Sequence, residues 1–307
     1  WVSALLYGLK AAVVALVLQA IARIARRALK SSLHVALAVA SFVALEFARV
    51  PFPVVLLVAA AVGAYLARHA ATDEGAVAAA NPARRAMTAR VAAVGFALWL
   101  IPLLVVVATL GGASLWTTVY LFFTKAALVT FGGAYAVLGY VTHQLVDKLA
   151  WVTTDQSVAG LALAETTPGP LIIVLQFMGF MAGWNQPGPL SPLGSALLAG
   201  ALATWATFLP SFVFILLGAP YVERLTRNAR IDGALGAITA AVVGVIATLV
   251  LLLVQVVLFP AGWRAAPDWH AAVIALAAWY LLEHTRWSLG LVLLAAAASG
   301  LLLRLLQ

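Results

Sequence analysis

From Val91 to Leu110 the chain carries no charged residue. A helix of about 20 residues crosses about 30 Å of hydrocarbon, so a run of this kind reads as a membrane span. Val2–Ile21, Leu193–Leu217 and Gly233–Leu258 read the same way. Without water to take up backbone N–H and C=O groups, a spanning segment must satisfy them internally, and runs this long do so as helices. Of 307 residues, 65% are hydrophobic and 9% charged, with a mean hydropathy of +1.08; a soluble domain is nearer a quarter charged. The expected fold is an all-α polytopic membrane protein with about ten hydrophobic segments.

Charge sorts the loops. The net charge of +8 collects at Arg23–Lys30, at Arg68–Arg90 and at Glu223–Arg230, as cytoplasmic loops of a membrane protein require, and does not suggest nucleic acid. Lacking cysteine, the chain forms no disulfide and offers no thiol nucleophile or thiolate metal site. Leu33–Leu45, Pro51–Ala67 and His270–Leu282 are too short for ordinary spans. With the first basic loop in the cytoplasm, each pair of short runs returns the chain to the side it left. Residues 184–192, which hold no charge, then lie outside.

The end of the chain echoes its beginning. Gly8–Val14 aligns with Ala237–Val243, Glu46 and Arg49 with Glu283 and Arg286, and Gly63 with Gly300. Each copy is one long span and two short runs, with Glu-x-x-Arg between them, expected to pair at i,i+3. On the charge assignment the two copies are inverted, an architecture that secondary transporters build from broken helices. Residues 1–67 read as the back half of a first repeat, 68–90 as a cytoplasmic linker, and 91–307 as a connecting span plus a second repeat. Residue 1 is Trp, and the natural chain is expected to begin roughly a hundred residues or more upstream.

Two breaks interrupt the second repeat. In the otherwise apolar run Val158–Trp184 stands Glu165-Thr166-Thr167-Pro168-Gly169-Pro170, and upstream stands Phe131-Gly132-Gly133. Backbone groups freed at membrane depth are tolerated where they are buried in protein or line a cavity. Thr167 suits an N-cap and Pro168 the first helical position, so a half-helix is expected from about Pro168 to Gly183. Its free N–H groups would favour an anion, and Gly169 would let a ligand reach the backbone. Glu165 is protonated, or paired with Lys125 or a backbone donor; it carries a coupling proton, gates the site, caps the half-helix, or sits at an interface. Lys125 either snorkels to an interface or supplies positive charge to an anion. Tyr135, Gln176 and Asn185 could add donors. The five histidines do not cluster, and His34 and His270 open short runs at an interface. No nucleophile–base set, phosphate loop, metal-ligand spacing or cofactor motif is present, so no cofactor, metal or enzymatic activity is expected.

Phe131–Leu138, then Leu163–Leu171 with the break inside it, then Gln176–Phe180, resemble the second domain of the chromate ion transporter family in its two-domain form. Lys125, six residues before the Phe-Gly-Gly motif, also fits; Gly139 departs from the family's proline. The resemblance implies efflux of chromate across the bacterial inner membrane, driven by the membrane potential or by protons, and hence chromate resistance. Sulfate, a near-isosteric dianion, is an alternative substrate. The substrate-binding set is then Lys125, Phe131, Gly132, Gly133, Thr166, Thr167, Pro168, Gly169, Pro170 and Gln176, with Glu165 for coupling or gating. The partners are an oxyanion and the lipid bilayer, and a homodimer is one assembly such a chain could adopt. Two readings from other classes stand beside this: a membrane scaffold subunit with no substrate, and an intramembrane enzyme using His143, Asp147 and Glu165.

Overall fold

The computed structural model describes residues 1–69, 82–129, 134–167, 169–219 and 228–306. These residues form twelve α-helices and no strand: α1 (Val2–Ala28), α2 (Ser32–Glu46), α3 (Phe52–Leu66), α4 (Pro82–Leu110), α5 (Leu115–Val129), α6 (Ala134–His143), α7 (Thr154–Thr166), α8 (Val174–Asn185), α9 (Pro192–Gly218), α10 (Ala229–Leu258), α11 (Trp269–His284) and α12 (Leu289–Leu306). Four helices, α1, α4, α9 and α10, are long and apolar enough to cross a membrane. The protein is an all-α, multi-pass membrane protein.

Charge ended the expected spans too early. α1 continues past Ile21 to Ala28, so Arg23, Arg26 and Arg27 ride on its last turns instead of a loop. Arginine is a good helix former, and cations are favoured at a helix carboxyl end. The stretch Arg68–Arg90, expected as a loop, is helical from Pro82 onward, with proline at the tolerated first position. Residues 70–81 lie outside the described residues. α10 likewise begins at Ala229, taking in Arg230; Asn228 Oδ1 accepts the Arg230 N–H at 3.0 Å. Glu223, Arg224 and Arg227 lie outside the described residues.

The chain divides into two compact units. The first comprises Trp1–Arg49, Gly133–Val174 and Val242–Gln307. In it α1 packs along α12 and α11, and α7 packs on α1. Lys10 of α1 makes an ion pair with Asp155 in the first turn of α7. The start of α7 is set by a capping box in which Thr153 and Gln156 exchange side-chain and backbone hydrogen bonds. The second unit comprises Val50–Gly132 and Leu175–Ala241. Here α9 is the central helix, against α5 and α4. α8 meets α9 through small residues: a Cβ on Gly179 would press on Ala199 and Ala203, and one on Gly183 on Ser195 and Ala196. Seams of small residues let membrane helices gain close van der Waals contact.

Each unit contains the same close approach. In the second, a Cβ on Gly63 of α3 would collide with the Gly233 carbonyl and the Ala237 Cβ of α10. In the first, a Cβ on Gly300 of α12 would collide with the Ala4 carbonyl and the Gly8 backbone of α1. Gly63 aligns with Gly300 and Ala237 with Gly8, so the two contacts occupy matching places in the repeat. The caps match as well: Ser31 Oγ accepts the His34 N–H at the start of α2, and Asp268 Oδ1 accepts the Ala271 N–H at the start of α11.

The Glu-x-x-Arg pairs do not form. No ion pair joins Glu46 to Arg49 or Glu283 to Arg286 among the described residues. α2 ends at Glu46, and Arg49 adopts a positive φ of 52°. α11 ends at His284, and the next residue is extended at φ −122° and ψ 169°. The i,i+3 neighbourhood needs a continuing helix. Glu283 instead accepts the Gln19 amide at 3.3 Å.

Pro102 lies inside α4 without ending it. Its missing N–H leaves the Leu98 carbonyl, four residues earlier, without a helical donor. The Trp205 indole of α9 donates to that carbonyl at 3.0 Å. The Tyr120 hydroxyl of α5 donates to the next carbonyl, Trp99, at 2.8 Å. Neighbouring helices thus complete the backbone that proline opens, as hydrocarbon requires.

Candidate functional site

The break after Glu165 is real but is built differently from the expected N-cap. α7 ends at Thr166, and Thr167 is its C-cap, extended at φ −90° and ψ 129°. A residue before proline is driven out of the helical region. The hydroxyls of Thr166 and Thr167 both turn back and donate to the Leu163 carbonyl, at 2.8 and 2.7 Å. They close the end of α7 instead of starting the next helix. Pro168 lies outside the described residues. Pro170 is also extended, at φ −70° and ψ 130°, and caps a turn of 3-10 helix, Leu171–Ile173, that leads into α8. The half-helix therefore begins at Leu171, not at Pro168, and runs to Asn185. Its first intrahelical bond on this turn is the Ile173 N–H to the Pro170 carbonyl at 3.0 Å, so the Leu171 and Ile172 N–H groups precede the ladder. Among the described residues, nothing lies within 4 Å of a Cβ built on Gly169.

Glu165 has a neutral partner. The Tyr135 hydroxyl, in the first turn of α6, donates to Glu165 Oε1 at 2.7 Å. The expected alternatives, Lys125 or a backbone donor, are not what the carboxyl uses. Arg23 of α1 lies near enough to act electrostatically on Tyr135. It is exposed, and no hydrogen bond or ion pair engages it among the described residues. Arg23 was hidden in the sequence as one of several bases in an apparent loop. Its signal was positional: it stands on the helix that Lys10 and Asp155 register against α7.

The first unit thus brings together Tyr135, Glu165, Thr166, Thr167, Gly169 and Pro170, with Arg23 within electrostatic reach of Tyr135. Lys125 and Gln176 belong to the second unit. Lys125 is exposed on α5. Gln176 packs on α9, its Nε2 at 3.4 Å from where a Gly200 Cβ would stand. Phe131, Gly132 and Gly133 lie outside the described residues. Gly139 sits within the continuous helix α6, with the Val245 carbonyl at 3.6 Å from the place of its Cβ. Beyond it, residues 144–148 form a π-helical turn, and His143 Nδ1, at the end of α6, pairs with Asp147 Oδ2 of that turn at 2.7 Å. His143 and Asp147 pair with each other and Glu165 pairs with Tyr135, so the structure joins no three of them into a catalytic set. No group of three His, Asp or Glu side chains that could hold a metal occurs among the described residues.

Comparison with known proteins bears on the same region. The sequence pattern of the family described as "Chromate transporter" matches residues 117–301, more than half of the chain. A chromate transport protein of Pseudomonas aeruginosa is 36% identical over 132 residues, 43% of this chain and 29% of that one. One from Cupriavidus metallidurans is 29% identical over 181 residues, 59% of this chain and 40% of that one. An uncharacterized transporter of Bacillus subtilis is 30% identical over 139 residues, 44% of this chain and 69% of that one. The chain therefore spans less than half the length of the chromate transport proteins it matches. No solved structure matches it. With both breaks inside the matched region and helices fit to span a membrane around them, this chain belongs to the chromate transporter family.

Proposed function

We propose that the protein is a secondary transporter, not an enzyme, that exports a tetrahedral oxyanion of the chromate type across the bacterial inner membrane and so confers chromate resistance. The observation that carries the reading is the open space that the described residues leave at Gly169, between the end of α7 and the helix that resumes at Leu171. A dianion leaving water must have its hydration replaced. The N–H groups of Leu171 and Ile172 are donors at a helix amino end, where negative charge is favoured. The Arg23 guanidinium, within electrostatic reach of Tyr135, would supply full charge, and Lys125 is a candidate of the same sign in the second unit. Glu165 holds the Tyr135 hydroxyl while it is ionised. Once it takes up a proton it has a donor of its own, and the Tyr135 hydroxyl is freed for the anion. Proton uptake and anion loading are linked by that exchange.

The reading is tested by radiolabelled chromate uptake into inverted membrane vesicles carrying the natural full-length protein. Uptake is expected in inverted vesicles and not in right-side-out ones. Gly169→Trp is expected to abolish it while the protein still inserts. Undiminished uptake in Gly169→Trp would refute the site, and uptake of sulfate in preference to chromate would reassign the substrate.

A further inference from the structure

We propose that the first unit holds a phospholipid with a primary-ammonium headgroup, its tail between α11 and α12 and its headgroup among Tyr7, Asp268 and Arg304. Two cavities meet there and share His270 and Leu303. One, of about 550 Å³, is apolar and lies between Val273, Ile274 and Leu281 of α11 and Val292, Ala296 and Leu302 of α12. It follows α11 from Trp269 to Leu281, about 18 Å at 1.5 Å per residue. That is close to half of a hydrocarbon core about 30 Å thick, the depth of one lipid tail. The other cavity, of about 380 Å³, is lined by Ser3, Tyr7, Asp268, His270 and Arg304. Trp269, exposed, lines this end, and tryptophan marks the headgroup level of a membrane.

The polar lining offers one fixed charge of each sign, each only partly used. Asp268 Oδ1 accepts the Tyr7 hydroxyl at 2.7 Å and the Ala271 N–H at 3.1 Å. His270 Nδ1 stands 4.0 Å from the same oxygen. Arg304 spends Nη1 on Ser3 Oγ at 3.0 Å and has further N–H donors in its fork. A phosphodiester suits Arg304, and an ammonium suits Asp268. A headgroup with phosphate alone would meet the Asp268 carboxylate with nothing to offset it. Choline would bring its charge but no N–H donor to the carboxylate. Helix packing does not demand these charges, and the cap that Asp268 makes needs only a side-chain oxygen, as Ser31 supplies in the other copy. In the other copy of the repeat the matching positions hold Gly236 for Tyr7, Ser31 for Asp268, Leu33 for His270 and Ala67 for Arg304, although the glycine contact beside them is the same.

The test is native mass spectrometry of the delipidated full chain with phosphatidylethanolamine, phosphatidylcholine and phosphatidylglycerol of identical tails, supplied in equal amounts. Phosphatidylethanolamine is expected to be retained about fivefold over each of the others, the worth of one net hydrogen bond. Asp268→Asn should remove that preference, and Arg304→Gln should lower retention of all three. Ala277→Phe, on the exposed face of α11 that lines the groove, should do the same by filling the space for the tail. The unmodified protein alone decides the central point. Equal retention of the three lipids, or preference for phosphatidylglycerol, overturns the proposal, as does retention unchanged in Arg304→Gln or Ala277→Phe.

Discussion

The Trp205 indole has a partner only because Pro102 has no N–H, and that dependence can be measured. In an unbroken helix the Leu98 carbonyl would take the N–H of residue 102. With proline there, it takes the Trp205 indole at 3.0 Å instead. Trp205→Phe keeps an aromatic ring against α4 and removes the donor. Hydrogen bonds between membrane helices average about 0.6 kcal/mol and reach about 1.7. An acceptor left without a donor in hydrocarbon, where no water replaces it, costs about 1–3 kcal/mol. We therefore expect Trp205→Phe to destabilise by about 1–2 kcal/mol, part of it the smaller ring. Pro102→Ala restores a backbone donor to Leu98. In that background Trp205→Phe should lose only packing, leaving a coupling of about 1 kcal/mol between the two positions. Reversible unfolding of the four proteins in mixed micelles, followed by far-ultraviolet circular dichroism, gives the cycle. If Trp205→Phe costs the same with and without Pro102, the indole is not completing the proline-opened backbone and the reasoning fails.

Two further outcomes follow from contacts in each unit. Gly300→Ala and Gly63→Ala place a methyl against a facing helix backbone, and each should cost about 1–3 kcal/mol in the same unfolding assay; Gly290→Ala, in open space among the described residues, is the control that should not. Arg23→Gln should raise KM for chromate at least about tenfold, the scale of a lost charge-assisted hydrogen bond, with Arg23→Lys recovering part of it; a KM unchanged in Arg23→Gln would remove Arg23 from the anion site.

Helices were readable because hydrocarbon leaves the backbone few choices, and their ends were not. A run of apolar residues marks where α1 begins, but Arg23 does not mark its end. The cost of a charge in a membrane depends on depth and on snorkelling, which one sequence does not print. The break at Glu165–Pro170 was readable from prolines and glycine, while the direction of Thr167 was not. A threonine beside a helix end can cap forward onto N–H groups or backward onto a carbonyl. The proline after it decides the matter by holding Thr167 extended. Partners of single side chains were the least readable: Glu165 met Tyr135, thirty positions away in the chain, through the packing of α6 and α7 rather than by any spacing rule.

The repeat separates what the fold needs from what the function needs. Where both copies must bring backbones together, both keep a small residue: Gly63 and Gly300 on the short helices, Ala237 and Gly8 on the long ones. A larger side chain in either place would force the helices apart, so those matches follow from packing. Polar groups behave differently. Lys10 matches Thr239, and Tyr7, Asp268 and Arg304 match Gly236, Ser31 and Ala67, yet the first unit ties the first set into ion pairs and hydrogen bonds. The other copy makes the same glycine contact, and at Ser31 the same kind of helix cap, without charge at these positions, so packing alone does not account for the charges of the first unit. Arg23 fits the same logic: it matches Leu252, which is where an apolar helix end suffices. The copies are alike where helices touch and unlike where charge is held, and the unlike positions of the first unit stand around one broken helix and one headgroup-sized cavity.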